Sequence, residues 1–154
     1  MKRLPDSERW LGIGFLVVLA IGGCGRPAFE LDVSVQGDDV VFVLRNSSGG
    51  SINVSSGLLD TAKSPDGDLV LEVRGPSGQK LPHCGLIDSH EPTSRISVEH
   101  GEAVEFREDA ELVRAVYCLE KLEDASFSLA YSKIESGDWE VQFRTEFVEV
   151  DRRP

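Results

Sequence analysis

Phe29-Glu30-Leu31-Asp32-Val33-Ser34-Val35-Gln36 is the stretch that decides the fold. Apolar and polar residues alternate in it without a break. An extended chain therefore carries Phe29, Leu31, Val33 and Val35 on one face and the polar residues on the other. Gly37-Asp38-Asp39 supplies a turn, and residues 40–45 (VVFVLR) read as a second, more deeply buried strand. The signature recurs outward along the chain. After the break at residues 46–50 (NSSGG), Ile52 and Val54 are expected to face inward. Leu69, Leu71 and Val73 alternate with Val70, Glu72 and Arg74 before the turn at residues 75–78 (GPSG). Ile96 and Val98, then Val104 and Phe106, flank His100-Gly101, and residues 113–119 form a further apolar run. Trp139, Val141 and Phe143 alternate with Glu140, Gln142 and Arg144, which marks Trp139 as a core anchor entering the last strand. Helical signals are poor: residues 112–121 and 125–134 could wind briefly, but neither combines an apolar stripe with caps. Seven to eight short strands predict an all-β protein, a single antiparallel two-sheet sandwich over residues 29–150.

The composition agrees with one folded domain: 154 residues, 40% hydrophobic and 28% charged. A formal net charge of −11 excludes a phosphate-backbone binder, which needs clustered Lys and Arg. No P-loop, dinucleotide-binding glycine pattern or basic-aromatic stripe occurs, so no nucleic-acid or nucleotide partner is expected.

The N-terminus has a different character. Lys2, Arg3 and Arg9 precede an uncharged thirteen-residue run, residues 11–23 (LGIGFLVVLAIGG), and Cys24 follows at once. A spanning helix needs about 20 apolar residues, whereas this length suits the core of a signal peptide. Ile21-Gly22-Gly23-Cys24 resembles the lipobox of bacterial lipoproteins, with Ile for the usual Leu and Gly in the middle position. The resemblance implies a signal peptide over residues 1–23, cleavage before Cys24, diacylglycerol on the Cys24 sulfur and a fatty acid such as palmitate on the new amine. A single acyl chain binds membranes marginally, while two or three hold a protein there. Residues 24–28 would be the lipidated cysteine and a tether reaching about 13 Å. Gly25 in place of aspartate implies the inner leaflet of an outer membrane, where the envelope has one. An ordinary secreted protein cut near Gly23 and an uncleaved short anchor are the alternatives.

In such an exported, oxidising compartment, Cys84 and Cys118 are the remaining cysteines. A disulfide between them would close a loop of about 35 residues and contribute about 3 to 4 kcal/mol in the chain-entropy model. Free thiols are one alternative. A metal or redox site is another, since His83 adjoins Cys84 and His90 and His100 lie nearby. Zinc sites favour close ligand pairs such as C-x-x-C, which this chain lacks, so no metal or cofactor is expected. The histidines read as exposed loop residues. The acids at Asp38-Asp39, Asp66/Asp68, Glu108-Asp109 and Glu123-Asp124 read as solvated turn acids.

A weaker resemblance covers about residues 29–147. It is carried by Asn46-Ser47-Ser48 after a strand, Leu69 to Gly78, residues 97–106 (SVEHGEAVEF) and residues 136–143 (SGDWEVQF). These resemble immunoglobulin-like bacterial envelope domains and the small sandwiches of the intracellular proteinase inhibitor family from bacilli. They imply a fold and little function. No serine sits in a G-x-S-x-G elbow, and no catalytic set assembles from the sequence. The expected role is therefore non-catalytic: a membrane-anchored envelope lipoprotein whose domain binds a partner protein, for which exposed strand edges offer one mode. One rival is a protease-inhibiting module using residues 56–68 or 85–93 as its loop. Another is a small metal-dependent enzyme using His83, His90 or His100.

Overall fold

The computed structural model describes residues 28–59, 63–85 and 94–151. Cys24, the signal segment and His90 lie outside the described residues. The described residues form an all-β antiparallel sandwich with one α-helix. β1 (Phe29–Gln36), β2 (Asp39–Asn46) and β7 (Ala103–Asp109) form one sheet in the order β1-β2-β7. The second sheet centres on β8 (Ser126–Glu135), which pairs with β4 (Asp68–Arg74) along one side. Its other side takes β10 (Val148–Glu149) and then β9 (Asp138–Arg144), and β5 (Lys80–Leu81) extends β4. A two-stranded ribbon of β3 (Ile52–Ser55) and β6 (Arg95–Val98) stands beside them. The described residues hold ten strands against the seven or eight expected from the sequence, which did not assign β5, β8 or β10.

The alternation of β1 does what its pattern requires. Phe29, Leu31 and Val33 are buried opposite Asn46, Leu44 and Phe42. Phe42 lies opposite Phe106 of β7 and packs edge-on against Phe127 of β8, with 5.7 Å between centroids, which joins the two sheets. Burying each such side chain stabilises the fold by about 1.5 to 3 kcal/mol. Phe29, Phe143 and Tyr131 stack in a row at the start of β1, with centroid separations of 3.8 and 4.8 Å.

Two local expectations are corrected, and one open reading resolves as helix. Residues 110–117 are helical (α1, Ala110–Tyr117), where the sequence allowed residues 112–121 to wind; the missing cap is Asp109, which accepts a 2.8 Å bond from the Leu112 amide. Val113, Val116 and Tyr117 then fall on one buried face. The stretch 125–134 is mostly strand β8. Trp139 is no core anchor: it is 46% exposed, and Val141 49%. The cause is a bulge. Tyr131 faces Phe143 but Ser132 faces Val141, so Gln142 is an extra residue in β9. One inserted residue transfers everything beyond it to the other face. Phe143 points inward while Val141 and Trp139 point out.

Asp68 is also not solvated. It is fully buried and takes bonds from five donors. Oδ1 accepts from the amides of Ser55 (2.8 Å) and Leu69 (3.0 Å); Oδ2 accepts from Ser55 Oγ (2.6 Å), the Ser64 amide (3.2 Å) and Arg95 Nη1 (2.9 Å). Burial alone would raise this carboxyl. The bonds from the Ser55 side chain and amide and from Ser64, with Lys63 nearby, outweigh it and hold the group below the ordinary carboxylate range. The sign follows from linkage. The stabilisation is complete above the unfolded value of about 3.9 and is lost as pH falls through the lower native value. Asp68→Ala is expected to cost about 3 kcal/mol near neutral pH, in urea denaturation monitored by circular dichroism. Its deficit relative to wild type should narrow once the pH drops below about 4.

Candidate functional site

The end of the sandwich remote from Ala28 carries a cleft. Val35 follows Phe29 by six positions in β1, about 20 Å of strand. There the β1–β2 turn meets α1, with the Ala110 amide donating to the Asp38 carbonyl at 2.8 Å. An open cleft of about 540 Å³ lies between Val35 near the end of β1, the first turns of α1, residues 120–123 and Val150. Val35, Ala110, Leu122 and Val150 form its apolar floor, and none of the four is exposed. Glu111, Glu120, Lys121 and Glu123 form a charged, exposed rim. Arg114 bonds to Glu111 at 2.6 Å, while its Nε is buried with no hydrogen-bond partner among the described residues. Leu112, 45% exposed, extends apolar surface along α1.

Cys84 and Cys118 are joined as a disulfide, with their Cα atoms 6.0 Å apart. Neither is therefore a thiol nucleophile or a metal ligand. Cys118 is the C-cap of α1 in the left-handed conformation (φ 50°), and the Cys84 amide donates to the Val116 carbonyl at 2.8 Å. The bridge clamps the helix end to the chain leaving β5.

The structure separates the two described histidines. His83 Nε2 lies 3.1 Å from the Tyr117 hydroxyl, which in turn donates to the Leu71 carbonyl at 2.9 Å. Burial, then the charges of Glu72 and Glu108, pushes this phenol well above its ordinary value, so it stays protonated as a structural donor. His100 sits at the opposite end, its Nδ1 accepting from the Gly49 amide at 3.1 Å. Neither histidine meets a serine hydroxyl or a thiol in these bonds. Among the described residues, no three His, Cys, Asp or Glu side chains gather as metal ligands.

Two further acids are occupied structurally. Glu108 accepts from the Leu58 amide at 2.6 Å, and Asp109 caps α1. Sequence reading missed Glu72, a mid-strand acid that is 6% exposed. It bonds Lys80 of β5 at 2.7 Å and Arg144 of β9 at 2.5 Å, across the outer face of the second sheet. Burial would raise it, but these two cations hold it below its ordinary range. Leu58 and Leu59 of the proposed inhibitor loop are buried in the core, and residues 60–62 and 86–93 lie outside the described residues. The cleft, by contrast, could not be read from sequence, because its floor draws on four separate segments.

No family model, curated protein or solved structure matches this chain. An apolar floor inside a charged rim is suited to receiving an apolar side chain of a partner, with the rim fixing its orientation. The disulfide supports the wall of this end. Cys84→Ser with Cys118→Ser is expected to lower stability by about 3 kcal/mol, measured as a drop in urea midpoint with a somewhat steeper slope, because the unfolded chain without the bridge exposes more surface.

Proposed function

We propose that this chain is a bacterial envelope lipoprotein, anchored through lipid on Cys24, whose sandwich binds a partner protein in a non-catalytic accessory or assembly role. The observation that carries the reading is the opposition of the two ends. The chain enters the domain at Ala28, while the cleft opens at the far end of β1. An anchor on the one side leaves the other facing away from the bilayer. The short tether keeps the domain near the membrane, in the inner leaflet of an outer membrane where the envelope has one. The motifs that resemble immunoglobulin-like envelope domains support the same reading.

The partner is expected to offer an apolar side chain flanked by basic groups, given the three rim glutamates and a net charge of −11. Strand addition is a second mode. Among the described residues β7 and β9 each pair along one side only, but charged side chains stud β7. The inhibitor reading is weaker because Leu58 and Leu59 tie part of its loop into the core.

Two measurements test the proposal. Mass spectrometry of the N-terminal peptide should find diacylglyceryl on Cys24, and Cys24→Ala should release the protein from the membrane fraction. In cross-linked envelopes, one protein should be recovered equally with wild type and Glu102→Lys, a change at the opposite end. Glu111→Lys with Glu120→Lys should weaken that recovery about tenfold, or about 1.4 kcal/mol. Recovery indifferent to the rim would exclude the cleft as the binding surface.

A further inference from the structure

Ile134, Trp139 and Val141 are exposed large apolar side chains of the β8–β9 hairpin, and the pairing places all three on one face. Ile134 lies opposite Trp139, and Ser132, two residues before Ile134, lies opposite Val141. The charged residues Lys133, Glu135, Asp138 and Glu140 fall on the other face. Beyond Phe143 the β9 limb projects from the sandwich, since Asp138 through Gln142 are exposed on both faces, while the β8 limb stays held as far as Ile134, whose amide donates to the Pro65 carbonyl at 3.0 Å. An apolar face of this kind on a projecting hairpin marks a contact surface.

Its position says what it touches. Val148 pairs with Phe127, and the Asp151 amide bonds to the Val33 carbonyl. Running from Phe127 to Tyr131, β8 therefore heads back towards the start of β1, where Phe29 stacks on Phe143 and Phe143 on Tyr131. Three more residues carry Ile134 about 10 Å past that level. Ala28 leaves the domain at the same end, bonded to the Ser47 amide, and Cys24 lies within about 13 Å of it along the chain. Lipid at Cys24 and the hairpin tip would meet one bilayer.

We propose that this face of the hairpin is a second membrane contact, with Trp139, Ile134 and Val141 seated in the headgroup–acyl boundary beside the Cys24 lipid. The inference rests on the lipoprotein reading and deepens it by assigning the orientation of the domain. Trp suits this depth because its ring is amphipathic. Three side chains would bind a membrane weakly in free solution, but the tether holds them at high effective concentration. The acidic residues stay on the water side of the hairpin, so the contact draws on apolar burial and not on anionic lipid. Two anchor points hold the cleft outward, where one lipid would let the domain tumble.

The test uses the protein as matured in the envelope, cut before Cys24 and lipidated, in phosphatidylcholine vesicles. Of the two tryptophans in the sequence, Trp10 lies in the cleaved segment, which leaves Trp139 as the only one. Trp139 emission should shift to the blue, and lipids brominated near the headgroup should quench it about twofold, more than lipids brominated at the chain end. High salt should leave the quenching unchanged, while Ile134→Asp with Val141→Asp should abolish it and keep flotation. Protein that floats with Trp139 unquenched and unshifted overturns the hairpin contact and leaves the anchor standing. A blue shift without quenching by any brominated lipid assigns the face to a second copy or another protein, which also overturns it. Protein that does not float and carries no lipid on Cys24 removes both readings.

Discussion

One buried carboxylate holds together parts of this sandwich that have little else in common. Asp68 begins β4, yet its five donors come from β3, the loop before β4, its own neighbour and β6. A two-stranded ribbon such as β3–β6 is marginal alone and needs an apolar face or a fixed attachment. Ile52, Val54 and Val98 supply the apolar face, and Asp68 supplies the attachment. The arrangement also constrains what lies around it. Gly67 has φ 132°, a backbone setting that favours glycine, and the Tyr131 hydroxyl lies where a Cβ would sit. The same Tyr131 ring stacks on Phe143. The carboxylate, the turn before it and the aromatic row at the start of β1 thus form one connected unit.

Much of the fold was legible because half-buried strands leave a plain imprint. Phe29, Leu31 and Val33 in β1 and Leu69, Leu71 and Val73 in β4 alternate as a sheet with one core face demands, and all six are buried. The misreadings have equally plain causes. In β9 the alternation is visible, but a bulge at Gln142 reverses its meaning, and no local pattern announces an extra residue. Asp109 looked like one of a pair of turn acids, when the last residue of a strand was also the cap of a helix. Asp68 looks like a turn acid beside Asp66, and Glu72 like a polar position on an open face. Their burial depends on Arg95, Lys80 and Arg144, which arrive from other strands. Side chains that are satisfied by distant partners leave no signal at short range. The cleft is illegible for the same reason, while the Cys84–Cys118 bridge was readable from the shortage of alternatives.

The two ends of the molecule are built differently. Near Ala28 the chain relies on side-chain-to-backbone bonds: fully buried Asn46 donates to the carbonyls of Gly50 and Val98 and accepts from the amide and hydroxyl of Ser48. The far end relies on a capped helix, a disulfide and the bond from the Tyr117 hydroxyl to Leu71. The second set is the stiffer, because a covalent link and a capped helix tolerate little displacement. A rigid end carrying a preformed cleft binds with less ordering cost than a loop would. The Ser136-Gly137 turn of the projecting hairpin, with φ of 54° and 96°, has the two positive values of a tight hairpin connection, so that projection too is a defined shape.

The register of β1 has a mechanical consequence. β1 is paired with β2 along all eight of its residues, and near its end the chain at Asp151 runs parallel to it. A pull applied at Ala28 acts along the strand axis. Every rung of the β1–β2 ladder is then loaded at once, in shear, and none can open ahead of the others. A pull applied across the end of the same ladder would peel it one rung at a time against a far smaller resistance. A domain held at this terminus and tugged by whatever grips its other end is thus loaded in the direction in which its first strand is hardest to remove.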